Sequence, residues 1–85
     1  MKWKRQPPEH ESGEWFFDGD SLATAAVTNA IPNAELAQIA NELSKLAIES
    51  GGLDYLQIYV HEETNVKLWV IDDKTHFTIL FPSDY

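Results

Sequence analysis

Eighty-five residues, 44% hydrophobic and 24% charged, suffice for one hydrophobic core and leave no room for a second domain. The absence of cysteine removes disulfides, thiolate metal sites and thiol nucleophiles together. The net charge of −8 is asymmetric: Lys2, Lys4 and Arg5 are half of the six basic residues, and from Gln6 onward three lysines face all fourteen carboxylates. A body of that sign repels phosphate backbones, so no nucleic-acid partner is expected.

Residues 1–14 carry Pro7-Pro8, charges of both signs and no apolar period, and read as an extended arm ahead of a single domain over 15–85. Trp3 is the exception within it. No secretory-type apolar run appears in the arm, and no stretch approaches the roughly 18 apolar residues of a membrane span. The expectation is a cytoplasmic protein without a membrane partner.

Trp15-Phe16-Phe17 reads as a short extended segment entering a turn at Asp18-Gly19-Asp20. Ser21 to Ala30 admits two periods. Leu22, Ala25, Ala26 and Asn29 fit a helix capped by Asp20 or Ser21, whereas Ala23, Ala25 and Val27 alternate with Thr24 and Thr28 as in a strand. The short helix is the reading carried forward.

After Ile31-Pro32 the pattern is plainly helical. Asn33 is placed as N-cap, Glu35 suits the positive end of the dipole, and Gly51-Gly52 supplies a left-handed stop. Leu36, Ile39, Ala40, Leu43, Leu46 and Ala47 form one apolar stripe, so the helix packs on one side only.

Asp54 to His61, Val66 to Asp72 and His76 to Phe81 are rich in β-branched and aromatic residues. The short links between them dictate antiparallel pairing. Pairing Val60 with Val66, Ile58 with Leu68 and Leu56 with Val70, then Val70 with Phe77, Leu68 with Ile79 and Val66 with Phe81, collects the aliphatic side chains on one face. The expected fold is α+β: a three- or four-stranded antiparallel meander with one long amphipathic helix packed on one face and a short preceding element.

That register puts Tyr55, Gln57, Tyr59, Lys67, Trp69, Ile71, Thr78 and Leu80 on the opposite face, which is too apolar for a sheet bathed in water. Either Trp15 to Phe17 or Ser21 to Ala30 covers it, or another protein does. In the second case Tyr55, Tyr59 and Trp69 are the candidate partner-binding residues, since aromatic side chains dominate interface energetics. Phe77 to Phe81 reads as a flat apolar edge strand ended by Pro82, so a homodimer through edge pairing or face packing is the specific expectation.

Chemistry-bearing patterns are sparse. His61-Glu62-Glu63 and Asp72-Asp73 with His76 have the residue types of metal sites, but the meander sets them at opposite ends of the middle strand, roughly 17 to 20 Å apart. No cofactor or metal is expected. A small metal-dependent or acid/base enzyme using His61 or His76 with nearby carboxylates is the alternative. No serine lies in a nucleophile elbow, and Gly51-Gly52 follows a helix where a phosphate loop precedes one. A third reading, an acidic decoy of a DNA-binding protein, rests on Glu35, Glu42 and Glu49, which make a single row with ~10.5 Å steps.

Overall fold

The computed structural model describes residues 1–8 and 12–85. In chain order they form β1 (Trp3–Gln6), β2 (Asp20–Ala23), α1 (Ala25–Ala30), α2 (Asn33–Ser50), β3 (Leu56–His61), β4 (Lys67–Asp72) and β5 (His76–Leu80), followed by a 3-10 turn over Pro82–Asp84. The strands build one sheet in the order β1-β3-β4-β5-β2, antiparallel except where β2 runs parallel to β5. The α+β class and the β3-β4-β5 meander are as expected from sequence, with one further strand at each edge.

Both extra strands come from segments to which the sequence assigned other roles. Trp3–Gln6, placed in the arm, is extended and pairs along β3. Trp3 draws it in: the ring is 2% exposed, meets His61 edge-on at 4.8 Å and donates its indole N–H to Glu35 Oε1 at 2.9 Å. Ser21 to Ala30 is not one helix. Strand alternation prevails through Ala23 and helical spacing after it, with Thr24 Oγ1 accepting the Val27 amide at the junction. Because β2 pairs along β5, Phe77 to Leu80 is interior, and the edge expected there does not exist.

Helix α2 begins at its expected cap, so the cap itself falls one residue earlier, at Pro32. Asn33 is already helical, no side chain caps the end, and the Pro32 carbonyl accepts the amides of Glu35 and Leu36 at 3.0 and 3.2 Å. Proline fixes the entry angle without needing an N–H of its own. At the other end Gly51 is left-handed at φ 74°, and the Gly52 amide reaches the Ala47 carbonyl at 2.8 Å. The chain then runs against the 12–15 segment, where Trp15 and Leu53 exchange backbone hydrogen bonds of 3.1 and 2.8 Å. Gly52, at φ 116°, lies so close to Gly13 that a Cβ on it would run into the Gly13 carbonyl oxygen.

The core lies on one side of the sheet. Val27 of α1 and Leu36, Ile39, Leu43 and Ala47 of α2 pack with Trp3, Phe17, Tyr59, Leu68, Val70, Phe77 and Ile79. The expected inward face is therefore right for β4 and β5 but inverted for β3, and the expected register is right in neither hairpin. Observed partners are Gln57 with Val70, Tyr59 with Leu68 and Ile58 with Trp69, one residue away from the expected register. In the second hairpin Val70 pairs with Ile79 and Asp72 with Phe77, a two-residue shift that preserves the face.

The turn explains the slip. His61 and Val66 close a Glu62 to Asn65 loop through His61 N–H to Val66 O and Asn65 N–H to His61 O, both 2.9 Å, with Asn65 left-handed at φ 61°. Asparagine tolerates that conformation, and its place at the last loop position sets the pairing. Inversion of β3 costs little because its buried polar atoms are matched. Gln57 accepts Arg5 Nε at 2.7 Å and donates to Asp54 O at 3.0 Å, while the Tyr59 hydroxyl donates to Glu42 Oε1 at 2.5 Å.

The two glycines after α2 should respond differently to alanine. Gly51→Ala, which meets open space, is expected to cost about 1 kcal/mol for the left-handed residue alone. Gly52→Ala adds a backbone clash and should cost at least about 3 kcal/mol in urea denaturation; equal losses would contradict the close crossing with Gly13.

Candidate functional site: the helix-free face of the sheet

Neighbouring strands present side chains to one face row by row, so the register fixes what lies opposite the helices. The first row is Gln6, Ile58, Trp69 and Leu80, and the next is Leu56, Ile71, Thr78 and Leu22. Lys4, Val60 and Lys67 flank these at one end, and Asp20, His76 and Asp73 at the other. The centre is apolar from β3 to β5. Leu56, Ile58, Val60, Trp69 and Ile71 are half-buried, and Leu22 at the β2 edge is 48% exposed.

Neither segment expected as a cover lies there. Phe17 is fully buried and packs edge-on against Phe77 at 6.0 Å, and Val27 belongs to the helix-side core. At the β5 side the 3-10 turn and Tyr85 approach this face, the Tyr85 ring meeting Trp69 at 5.6 Å while remaining 83% exposed, and at the β3 side Pro7 and Pro8 line a cavity with Leu56 and Ile58. Among the described residues, Leu56, Ile58, Val60, Trp69 and Ile71 stay partly exposed between these borders.

Of the three aromatic residues picked from sequence, Trp69 alone is on that surface. Tyr59 is a correction: it is buried beneath α2, because the inverted register of β3 turns it inward. Tyr55 is 47% exposed but sits before β3, edge-on to Trp15 at 6.1 Å. Leu56, Ile58 and Val60 take the places assigned to the tyrosines and Gln57. Asn65 was the signal that could have found them.

The histidines and carboxylates picked from the sequence as site candidates hold turns and backbone. Asp72 is 3% exposed and its two oxygens accept the amides of Phe17 and Lys74, each at 2.9 Å. Phe17, at φ 51°, is held in that unfavourable conformation by this bond and by the Ser44 hydroxyl donating to its carbonyl. His61 Nδ1 accepts the amides of Glu63 and Thr64 at 3.2 and 3.3 Å. Asp73 Oδ1 accepts the amides of Thr75 and His76, and its Oδ2 lies 3.0 Å from His76 Nε2. Among the described residues no three His, Asp or Glu side chains converge on a metal position.

The acidic row on α2 is also committed in part. Glu35 accepts from Trp3 and Glu42 from Tyr59. Burial first, then the bond to Glu42, pushes the Tyr59 hydroxyl well above the usual phenol range, so it stays a donor at physiological pH. No described helix is long and apolar enough to cross a membrane. No protein family, characterised protein or solved structure matches the chain, so its chemistry has to be read from these contacts alone.

Two measurements check this geometry. Tyr59→Phe deletes a hydrogen bond to a carboxylate and is expected to cost about 1.5 to 3 kcal/mol in denaturant titration; no loss would contradict the buried pairing. Asp73 is held below the usual carboxylate value by the His76 amide first and the Thr75 groups next. Its stabilising effect is then complete above the ordinary aspartate pKa and lost as pH falls through the lowered one, so an NMR titration should place its midpoint below that of an unperturbed aspartate.

Proposed function

We propose that the protein is a small non-enzymatic interaction module that self-associates through the helix-free face of its sheet. The observation that carries this reading is the contiguous, partly exposed apolar surface of Leu56, Ile58, Val60, Trp69 and Ile71, bordered by Pro7-Pro8 at the β3 side and by the Pro82 to Tyr85 segment at the other. A sheet with one helical layer satisfies one face, and packing a second sheet at about 10 Å is the common way to satisfy the other.

Dimension supports a reversible contact. Five strands about 4.8 Å apart and about six residues long give a footprint of ~20 by 20 Å, or ~400 Å² per copy. An interface of ~800 Å² in total is smaller than the ~1,000 Å² of a stable complex, so a weak, reversible association is expected. Interior placement of β5 removes the edge-to-edge pairing expected of it, because β2 already lies beside it.

Sedimentation across a concentration series tests the proposal. Wild type should associate, Trp69→Ser should raise the dissociation constant at least about tenfold by removing the central aromatic anchor, and Ile48→Ser, on the outer side of α2, should change nothing. Leu22→Asp, at the exposed rim, gives a second readout with little risk to the fold. A wild type that remains monomeric at every concentration, or one indifferent to both Trp69→Ser and Leu22→Asp, contradicts the reading.

A further inference from the structure

The helix-free face is polarised along its strands. On β4, the middle strand of five, the outward side chains run Lys67, Trp69, Ile71 and then Asp73 just past its end. Lys67 is exposed and has no carboxylate within salt-bridge distance among the described residues. The neighbouring cation, Lys4, is paired with Glu62 at 3.3 Å, and Asp84 at the same end accepts from the Thr24 hydroxyl and the Phe81 amide. At the far end the exposed Asp73, which pairs with His76 Nε2 at 3.0 Å and caps its own turn, is joined on the face by Asp20, so the end keeps a net negative charge for a second cation. The column is symmetric about Val70, with cation and anion equally far from it.

Resting on the self-association reading above, we propose that two copies stack with their strands reversed, related by a two-fold axis that runs across the strands at the level of Val70, so that Lys67 of each copy meets Asp73 of the other. A two-fold within the interface plane has two simple settings. Lying along the strands, it would put Lys67 on Lys67 and Asp73 on Asp73, and like charges in contact oppose association. Lying across them, it makes both ends attractive at once.

The apolar rows agree with the second setting. Trp69 then lies over the partner's Ile71 and Ile58 over the partner's Leu56. Trp69, the largest side chain of the surface, thereby meets the smaller Ile71, as interdigitating sheets require. Six residues at ~3.3 Å separate Lys67 from Asp73 within one copy, so the two Lys67 side chains of the dimer stand ~20 Å apart. The pair makes the dimer sensitive to salt, and ionic strength becomes its regulator.

The chain has no cysteine, which permits single-cysteine crosslinking in an otherwise unreactive protein. Lys67→Cys mixed with Asp73→Cys should give a disulfide-linked dimer on mild oxidation, and Lys67→Cys alone should not. Since Asp73 also holds the 73–76 turn, sedimentation of Lys67 variants provides a readout that leaves that turn untouched. Lys67→Gln should weaken the dimer severalfold and Lys67→Glu about tenfold at low salt. The wild-type dissociation constant should rise between about 0.1 and 1 M sodium chloride, as the screening length falls from ~10 to ~3 Å. If Trp69→Ser disrupts the dimer but Lys67→Gln tightens it, or Lys67→Cys crosslinks with itself, the orientation is overturned and the surface stands. A wild type monomeric throughout overturns both.

Discussion

The hydrogen bond from the buried Tyr59 hydroxyl to Glu42 is the contact on which the arrangement turns. A tyrosine can lie in a core when its polar end finds a partner, and α2 supplies one at the right depth. With Tyr59 inward, the alternation of β3 sends Gln57 inward too, where Arg5 of β1 and the Asp54 carbonyl meet its amide. The same alternation leaves Leu56, Ile58 and Val60 no choice but the far side. A sheet that hides polar groups under its helix has aliphatic groups left over, and that surplus forms the candidate contact surface.

Much of this was legible in the residues. The apolar stripe of α2, its glycine stop and the two short links of the meander follow from local chemistry that tertiary packing does not override. The face of β4 and β5 was legible for the same reason, since both strands alternate cleanly. β3 was not, because counting it by hydrophobicity assumes that Gln57 and Tyr59 prefer water, and their partners are 52 and 17 residues away in sequence. Long-range satisfaction of polar atoms leaves no trace in a local pattern.

The edges were obscured by a different cause. Four-residue strands such as β1 and β2 are too short for a period to declare itself, and each exists because a neighbour offers an unpaired edge. Asp72, which reads as a turn acid, proves to be a buried clamp on the left-handed Phe17, a role visible only once residues 55 apart are brought together. Histidines and carboxylates that look like site chemistry in the sequence serve as turn caps: His61 for the β3-β4 loop and Asp73 for the β4-β5 loop. Charge at the sheet ends remains as the feature that gives the apolar face a direction.

The central claim, that the face carrying Ile58 and Trp69 is where another copy sits, is most directly tested by amide and methyl NMR spectra recorded across a dilution series. Resonances of Leu56, Ile58, Trp69, Ile71 and Leu80 should move together with concentration while those of the outer side of α2, Ile48 and Glu49 among them, stay fixed. Movement confined to the helix, or none on the sheet at concentrations where the protein associates, would contradict it.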